Sequence, residues 1–391
     1  MQSKHEYPNN FQGFLLNICI ITSSFPSRLD DLAQAPFLGD FIGGLMKRGH
    51  QIFVFTQNRE GSKEEFLEGV KVRWFPWRKS PKPLVQLNPY RPRDLLNILS
   101  LFFNGRKELF LFLRENKIET CLALWILPGG YFANQAFRQA RIPYSVWSLG
   151  SDMYRYGRNP FLYPMMKRII QEAKAVFADG FDLSKRIEDR FDRKCYFLAT
   201  TRTIQKKKPE KPDKPYRFLF VGRIEKVKGI DLLLQSMVSL KEERVNAHLT
   251  VVGGGGMEEW AKTFIEEKDL GGNVLWMGNV SDRALASLYE SSDCVVIPSR
   301  SESIPLVFSE ALSFNKKLIV TDVGDMGTLG RQYGVAWIVP PEDIVTLKEV
   351  MKKRIALKDN GKEERVEAKK EELKRLFDIE TSVERFLADY K

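Results

Sequence analysis

Phe220-Val221-Gly222-Arg223-Ile224-Glu225-Lys226-Val227-Lys228-Gly229, running into Ile230-Asp231, is the stretch on which the reading of this chain turns. An apolar strand end, a glycine turn carrying cations and a helix start at 229–231 predict a strand–turn–helix unit. Such a unit aims free backbone N–H groups and the positive end of a helix at one point, where an anion can sit. Arg223 and Lys228 bring full positive charges to that point. Two carboxylates downstream, Glu302 and Glu310, supply acceptors for sugar hydroxyls. Together these features predict a site for a nucleotide diphosphate sugar.

Outward from this stretch, strand-like apolar runs alternate with helical patterns, the signature of parallel α/β domains. In the first half the expected strands are 15–22, 51–56, 70–75, 120–125, 144–148, 175–178 and 195–198, with helices at 37–48 and 130–140 among those between them. In the second half strands are expected at 218–221, 248–252, 274–277, 294–297, 318–320 and 336–339. Helices are expected at 229–240, 257–267, 281–290, 305–314 and 344–357, then at 363–377 and 382–390. Between the halves, residues 205–215 hold three prolines and five lysines, which cannot form a core and read as a linker. A chain of 391 residues exceeds what one core usually serves, so two domains are expected. The boundaries are 1–204, linker 205–215, 216–378, and a final helical segment 379–391.

Composition narrows the class. No apolar run reaches the roughly 18 residues of a membrane span. The apolar run at 14–21 lacks a preceding positive cluster and reads as the first strand, not a signal peptide. Cys19, Cys121, Cys195 and Cys294 lie far apart in strand-like stretches, without metal-ligand spacing, which fits buried thiols in a reducing, cytoplasmic compartment. Residues 1–205 carry 30 Lys+Arg against 19 Asp+Glu, and residues 206–391 carry 31 against 31, so the net +11 sits wholly in the first half. That asymmetry reads either as an anionic partner for this half or as solubility alone. A basic, aromatic-rich stretch from Arg91 to Lys117 reads as an interfacial helix against an anionic membrane or as a buried helix pair.

Donor chemistry is written without an Asp-x-Asp metal motif, so no metal and no cofactor are expected and protein cations must meet the developing phosphate charge. Pro305 opens the helix at 305–314, and the N–H groups of Leu306 and Val307 would face a diphosphate there. Gly222 makes the turn. Gly253 and Gly254, in a four-glycine run at a strand end, let backbone approach a nucleotide or serve as a plain turn, and Val280 would line the base. On the acceptor side, the long segment from Ser24 to Gly39 and the strand-end residues Trp125 and Asp152 are candidates, with a cap or turn role as the alternative for Asp152.

These motifs resemble the retaining glycosyltransferases of the large family 4, with the GT-B fold. The resemblance rests on Gly222-Arg223, Lys228-Gly229 and the Glu302-x7-Glu310 pattern with its following Ala311-Leu312, in this order and spacing. It is strong from Arg217 to Ile338 and weaker over the first two hundred residues. It implies two Rossmann-like, doubly wound domains facing a central cleft, with the last helix crossing back to the first domain. It assigns Arg223 and Lys228 to the diphosphate, Glu302 to the transferred sugar and Glu310 to the ribose hydroxyls. The implied partners are a UDP- or GDP-sugar donor and a sugar, glycan or lipid-linked cell-envelope acceptor; nucleic acid is not expected. The alternatives are a nucleotide-sugar epimerase on the same fold and an inactive membrane- or nucleic-acid-binding protein that kept the fold. A phosphorylase is excluded, since it needs pyridoxal phosphate and a much longer chain. The family's cleft-facing histidine and the glycine pair near the first helix are absent, since Gly43-Gly44 lie too deep in that helix.

Overall fold

The computed structural model describes residues 15–25, 35–58, 63–78, 87–88, 91–206, 215–357 and 364–390. The linker assigned to 205–215 therefore lies outside the described residues except for Gln205, Lys206 and Pro215, as do residues 26–34 of the first long loop.

Among the described residues, eight strands form the first sheet: β1 (Asn17–Ile21), β2 (Gln51–Asn58), β3 (Lys63–Leu67), β4 (Val70–Pro76), β5 (Thr120–Leu124), β6 (Tyr144–Ser148), β7 (Ala175–Ala178) and β8 (Tyr196–Phe197). Their spatial order is β3-β4-β2-β1-β5-β6-β7-β8, parallel throughout except for the antiparallel β3–β4 pair. Six strands form the second: β9 (Tyr216–Val221), β10 (Ala247–Val252), β11 (Val274–Gly278), β12 (Cys294–Ile297), β13 (Lys317–Thr321) and β14 (Ala336–Val339), ordered β11-β10-β9-β12-β13-β14. Numbered within its own half, that order is the doubly wound 3-2-1-4-5-6, with a crevice where chain progression reverses. The reversal lies between β9 and β12 in the second sheet and between β1 and β5 in the first.

Alternation along each strand sends side chains to two helical layers. Cys19 and Ile21 of β1 join one apolar cluster, with Leu109, Phe112, Phe132 and Ile169 from overlying helices. Ile18 and Ile20 join the other, with Phe37, Phe41 and Leu45 of helix Phe37–Lys47. The second sheet is likewise covered on both faces. Helix Ile379–Leu387 returns to the first half, where Val383, Phe386 and Leu387 pack in the layer of helix Phe37–Lys47. Arg48 clasps that helix through Glu380 (2.5 Å) and Glu384 (3.2 Å).

Two elements carry too little sequence signal to be expected. β3, Lys-Glu-Glu-Phe-Leu, is too charged to read as a strand; it is an edge strand, where charge discourages further pairing. Helix Met326–Tyr333 is only eight residues long and holds two glycines, which weaken its helical signal. The last helix begins at Ile379, at the start of the final segment 379–391 and ahead of the 382–390 helical pattern, because the Asp378 carboxylate caps it by accepting from Thr381 N (2.9 Å).

Candidate functional site

The turn after β9 and the loop after β12 meet at the switch point of the second sheet. Gly229 has φ +73°, and a β-carbon there would lie 2.0 Å from the Pro298 carbonyl oxygen, so only glycine lets the two segments approach. Arg300 rivets them together. Its backbone N donates to Val227 O (2.8 Å), and its guanidinium takes Asp231 with two hydrogen bonds (2.7 and 2.8 Å) and Glu342 with a third (2.6 Å). This fork geometry suits arginine and not lysine.

Held so, Lys228 Nζ forms an ion pair with Glu302 Oε1, and Ser299 Oγ donates to the same oxygen (3.1 Å). No described residue bonds the other Glu302 oxygen, which stands open to a hydroxyl donor. Arg223 is exposed on the same turn and makes no ion pair with a described residue. Helix Leu306–Ser313 follows, with Pro305 extended at its cap position. The N–H groups of Leu306 and Val307 lie in its first turn, where no intrahelical acceptor exists. Lys228 is thus paired with Glu302, 74 residues further along the chain and four residues before this helix start.

Glu310 is placed differently from its sequence expectation. It is only 3% exposed and both oxygens are taken: Oε1 accepts from Arg202 Nε (2.5 Å) and Oε2 from the Tyr289 hydroxyl (2.6 Å). Arg202 also bonds Asp282 (2.8 Å). A carboxylate so satisfied does not stand open to a ribose unless Arg202 moves. Burial pushes the Tyr289 hydroxyl pKa well up, and Glu310 adds to it, so this phenol stays a donor.

The glycine run is also engaged with protein. Gly253 N donates to Gly278 O (2.8 Å), Gly222 N to Val252 O (3.0 Å) and Ile224 N to Gly254 O (3.0 Å), knitting the turns after β9, β10 and β11 together. The Gly253 N–H is therefore spent on the fold, in place of the expected nucleotide contact. Val280 is half-buried against the apolar core.

On the other side of the cleft, Asp152 is a brace and not an open contact. It is 1% exposed; Oδ2 accepts from Ile126 N (2.6 Å), and Oδ1 from Ser148 Oγ (2.9 Å) and Met153 N (3.0 Å). It ties β6 to the segment after β5. Burial raises its pKa, and these donors oppose the rise. Trp125, at the end of β5, lies half-buried against the same apolar cluster as Leu306 of the second half, so the two sides meet here. Gly39 lies in the first turn of helix Phe37–Lys47, half-exposed.

Sequence reasoning alone does not find Arg202, Tyr289, Ser299, Arg300 or Asp179. Arg300 and Ser299 sit within three residues of Glu302, so their loop carried a local signal for them. Arg202 and Asp179 have no spacing signal at all. Asp179, at the end of β7, is 8% exposed, and its Oδ1 meets no hydrogen-bonding partner. Burial pushes its carboxyl up to about 7, with the charges of Asp152, Glu302 and Asp325 adding and the facing Ser303 hydroxyl opposing. Among the described residues no group of three His, Cys, Asp or Glu side chains converges as a metal site.

Comparison with known proteins places these features in a class. Residues 201–374 match the family described as glycosyl transferases group 1, and the chain carries that domain. An uncharacterized glycosyltransferase of Methanocaldococcus jannaschii is 33% identical over 123 residues, 31% of each chain. The chain spans about a third of the length of the curated relatives it matches. Among solved structures, sucrose-phosphate synthase from Thermosynechococcus elongatus superposes with TM-score 0.71 at 17% identity, covering 96% of this chain and 98% of that one. The Anabaena HepE protein in complex with UDP superposes with TM-score 0.69 at 14% identity, covering 96% and 99%. The fold is GT-B, two facing α/β domains.

Proposed function

We propose that this chain is a retaining, metal-independent glycosyltransferase that moves a hexose-type sugar from a UDP- or GDP-sugar to a cell-envelope, lipid-linked or glycan acceptor. The observation that carries the reading is the Lys228–Glu302 pair beside the start of helix Leu306–Ser313, at the switch point of the second sheet. As the glycosidic bond breaks, the bonding pair stays with the departing diphosphate. Lys228 and Arg223 bind that growing charge more strongly than the ground state, which is what lowers the barrier. The N–H groups of Leu306 and Val307 add neutral donors, and the open Glu302 oxygen holds a hydroxyl of the sugar. The acceptor hydroxyl gives its proton to the departing phosphate and forms the new bond on the face the phosphate leaves. The UDP complex of the Anabaena protein supports a uridine nucleotide as one donor to try.

The test is thermal stabilisation across UDP-, GDP- and ADP-sugars, with and without chelator. Ligand at a hundred times its dissociation constant stabilises the folded state by about 2.7 kcal/mol. A shift of several degrees with one donor, unchanged by chelator, is expected. No shift with any donor in folded protein, or a shift that needs metal, overturns the reading.

The location we propose is the cytoplasmic face of an anionic membrane, through helix Pro92–Glu115. One side of this helix is buried through Leu101, Leu109 and Phe112. The other exposes Leu95, Leu96, Leu99, Leu111 and Phe103, the last 76% exposed, beside the exposed cations Arg106, Lys107 and Arg114. No helix among the described residues is long and apolar enough to cross a membrane. Each surface cation near anionic lipid contributes about 1 kcal/mol, so reversing Arg106 and Lys107 to glutamate is expected to weaken vesicle binding by roughly tenfold or more. Equal sedimentation of both proteins with phosphatidylserine-containing vesicles removes the membrane part of the proposal.

A further inference from the structure

Helix Pro92–Glu115 sorts its charges by side. Its three acids are all engaged against the protein. Asp94 is buried and accepts from Asn88 N (3.1 Å), and Glu108 and Glu115 both pair with Arg73 of β4 (3.3 and 2.7 Å). Its four cations, Arg93, Arg106, Lys107 and Arg114, are exposed, and none makes an ion pair with a described residue. Leu96, Leu99, Phe103, Lys107, Phe110 and Arg114 recur at intervals of three and four residues, so they share one face of the helix. That face therefore carries apolar groups and unmatched positive charge together.

At its C-terminal end the face opens into a groove of about 490 Å³, within the range of small-ligand pockets. Phe110, Leu111 and Leu113 of this helix line it, with Ala140 at the end of helix Tyr131–Ala140 and Ile142 just beyond. The polar members of the lining are Lys107 and Arg114. A lining without a hydroxyl, amide or carboxylate side chain offers a sugar or a nucleotide nothing to recognise beyond charge. It suits an amphiphile, with an apolar tail against the leucines and an anionic head at the two cations. The groove lies where the chain enters β5 and β6, the opposite end of the first sheet from the strand C-termini at which the cleft is built.

We propose that this groove is a lipid seat: it takes one acyl chain of an anionic phospholipid, whose phosphate meets Lys107 and Arg114. Its setting at a membrane rests on the location proposed above; the binding of the lipid does not. Because the groove stands away from the cleft, the seated lipid is an anchor and not the sugar acceptor. The exposed Leu96, Leu99 and Phe103 on the same face continue the contact along the helix.

The experiment titrates the whole protein with dioctanoyl phosphatidylglycerol kept below its micelle threshold, and with the phosphatidylcholine of the same chains. Heat of binding and melting temperature are read together, since a ligand of the folded state raises its stability. One lipid per protein is expected, with the anionic lipid bound roughly tenfold more tightly. Glycerol phosphate, the head without chains, should bind far more weakly than the lipid. Ala140→Phe fills the groove from an exposed position and keeps every charge. It should weaken uptake of the anionic lipid by roughly tenfold or more, the effect of losing two buried methylenes. It should melt as wild type does and still sediment with phosphatidylserine-containing vesicles. Arg114→Glu should erase the preference for the anionic lipid. No saturable uptake by wild type, equal affinity for the two lipids, glycerol phosphate binding as well as the lipid, or Ala140→Phe with wild-type affinity each overturns the proposal. So does a dimer that Ala140→Phe dissolves without any lipid uptake, which assigns the groove to a second copy of the chain. Vesicle sedimentation decides the location separately. Uptake of monomeric lipid without sedimentation keeps the seat and removes the membrane location, and sedimentation without uptake does the reverse.

Discussion

Lys228→Ala is expected to lower transfer by about 10²–10³-fold while the protein stays folded, because a donor aimed at the developing charge is lost where water is scarce. The size of the effect follows from the position. Lys228 is the one of the two expected cations that the fold buries and orients: it is largely covered, lies beside Gly229 at the switch point, and is held by the Arg300 clamp on its turn. Arg223 is exposed on the same turn, and its loss should be felt less. The substitution leaves Glu302 still hydrogen-bonded by Ser299, so the loop has reason to keep its shape. The measurement is single-turnover transfer together with nucleotide affinity. A fall in kcat with little change in nucleotide binding marks a group that acts on the transition state. A variant with wild-type kcat removes Lys228 from the site.

Gly180→Ala should be nearly as damaging, for a different reason. The glycine backbone there is extended, at φ −156° and ψ 155°, which alanine adopts freely, so no backbone strain is introduced. The whole effect is the added methyl, which must push Ser303 or Asp325 away by more than an ångström at the contact between the halves. Each half should still fold, since the methyl meets neither half's own core. Transfer should fall by roughly 10²-fold, the scale of a misplacement of about 1 Å in a reacting geometry. Nucleotide binding, carried by the second half, should change little. Equal loss of both, or no loss of transfer, would show that this contact has no part in assembling the site.

Much of this molecule is legible in its amino-acid sequence. Strands 144–148, 175–178, 294–297 and 336–339 occur as read, because each is a short apolar run bounded by turn residues. The Lys228 turn and the Glu302 loop are legible for the same reason: strand end, glycine and helix start are signals carried within a dozen residues. Less legible is β3, whose charge masks an edge strand. The roles within the site divide in the same way. Glu302 and Glu310 look alike in sequence, but one keeps an oxygen open and the other is closed by Arg202 and Tyr289, from 108 and 21 residues away. Nothing local distinguishes them.

The sequence by itself determined the alternation of strands and helices and the turn signals after β9 and after β12, since these follow from propensity, burial pattern and turn geometry over short stretches. Only the tertiary structure decided which carboxylates face outward, that Asp152 is a brace, that the glycine run knits three turns, and that Gly180 and Asp182 meet Ser303 and Asp325. These last contacts join residues more than a hundred positions apart, where burial and pairing are set by how the two halves close on one another and not by any neighbour in the chain.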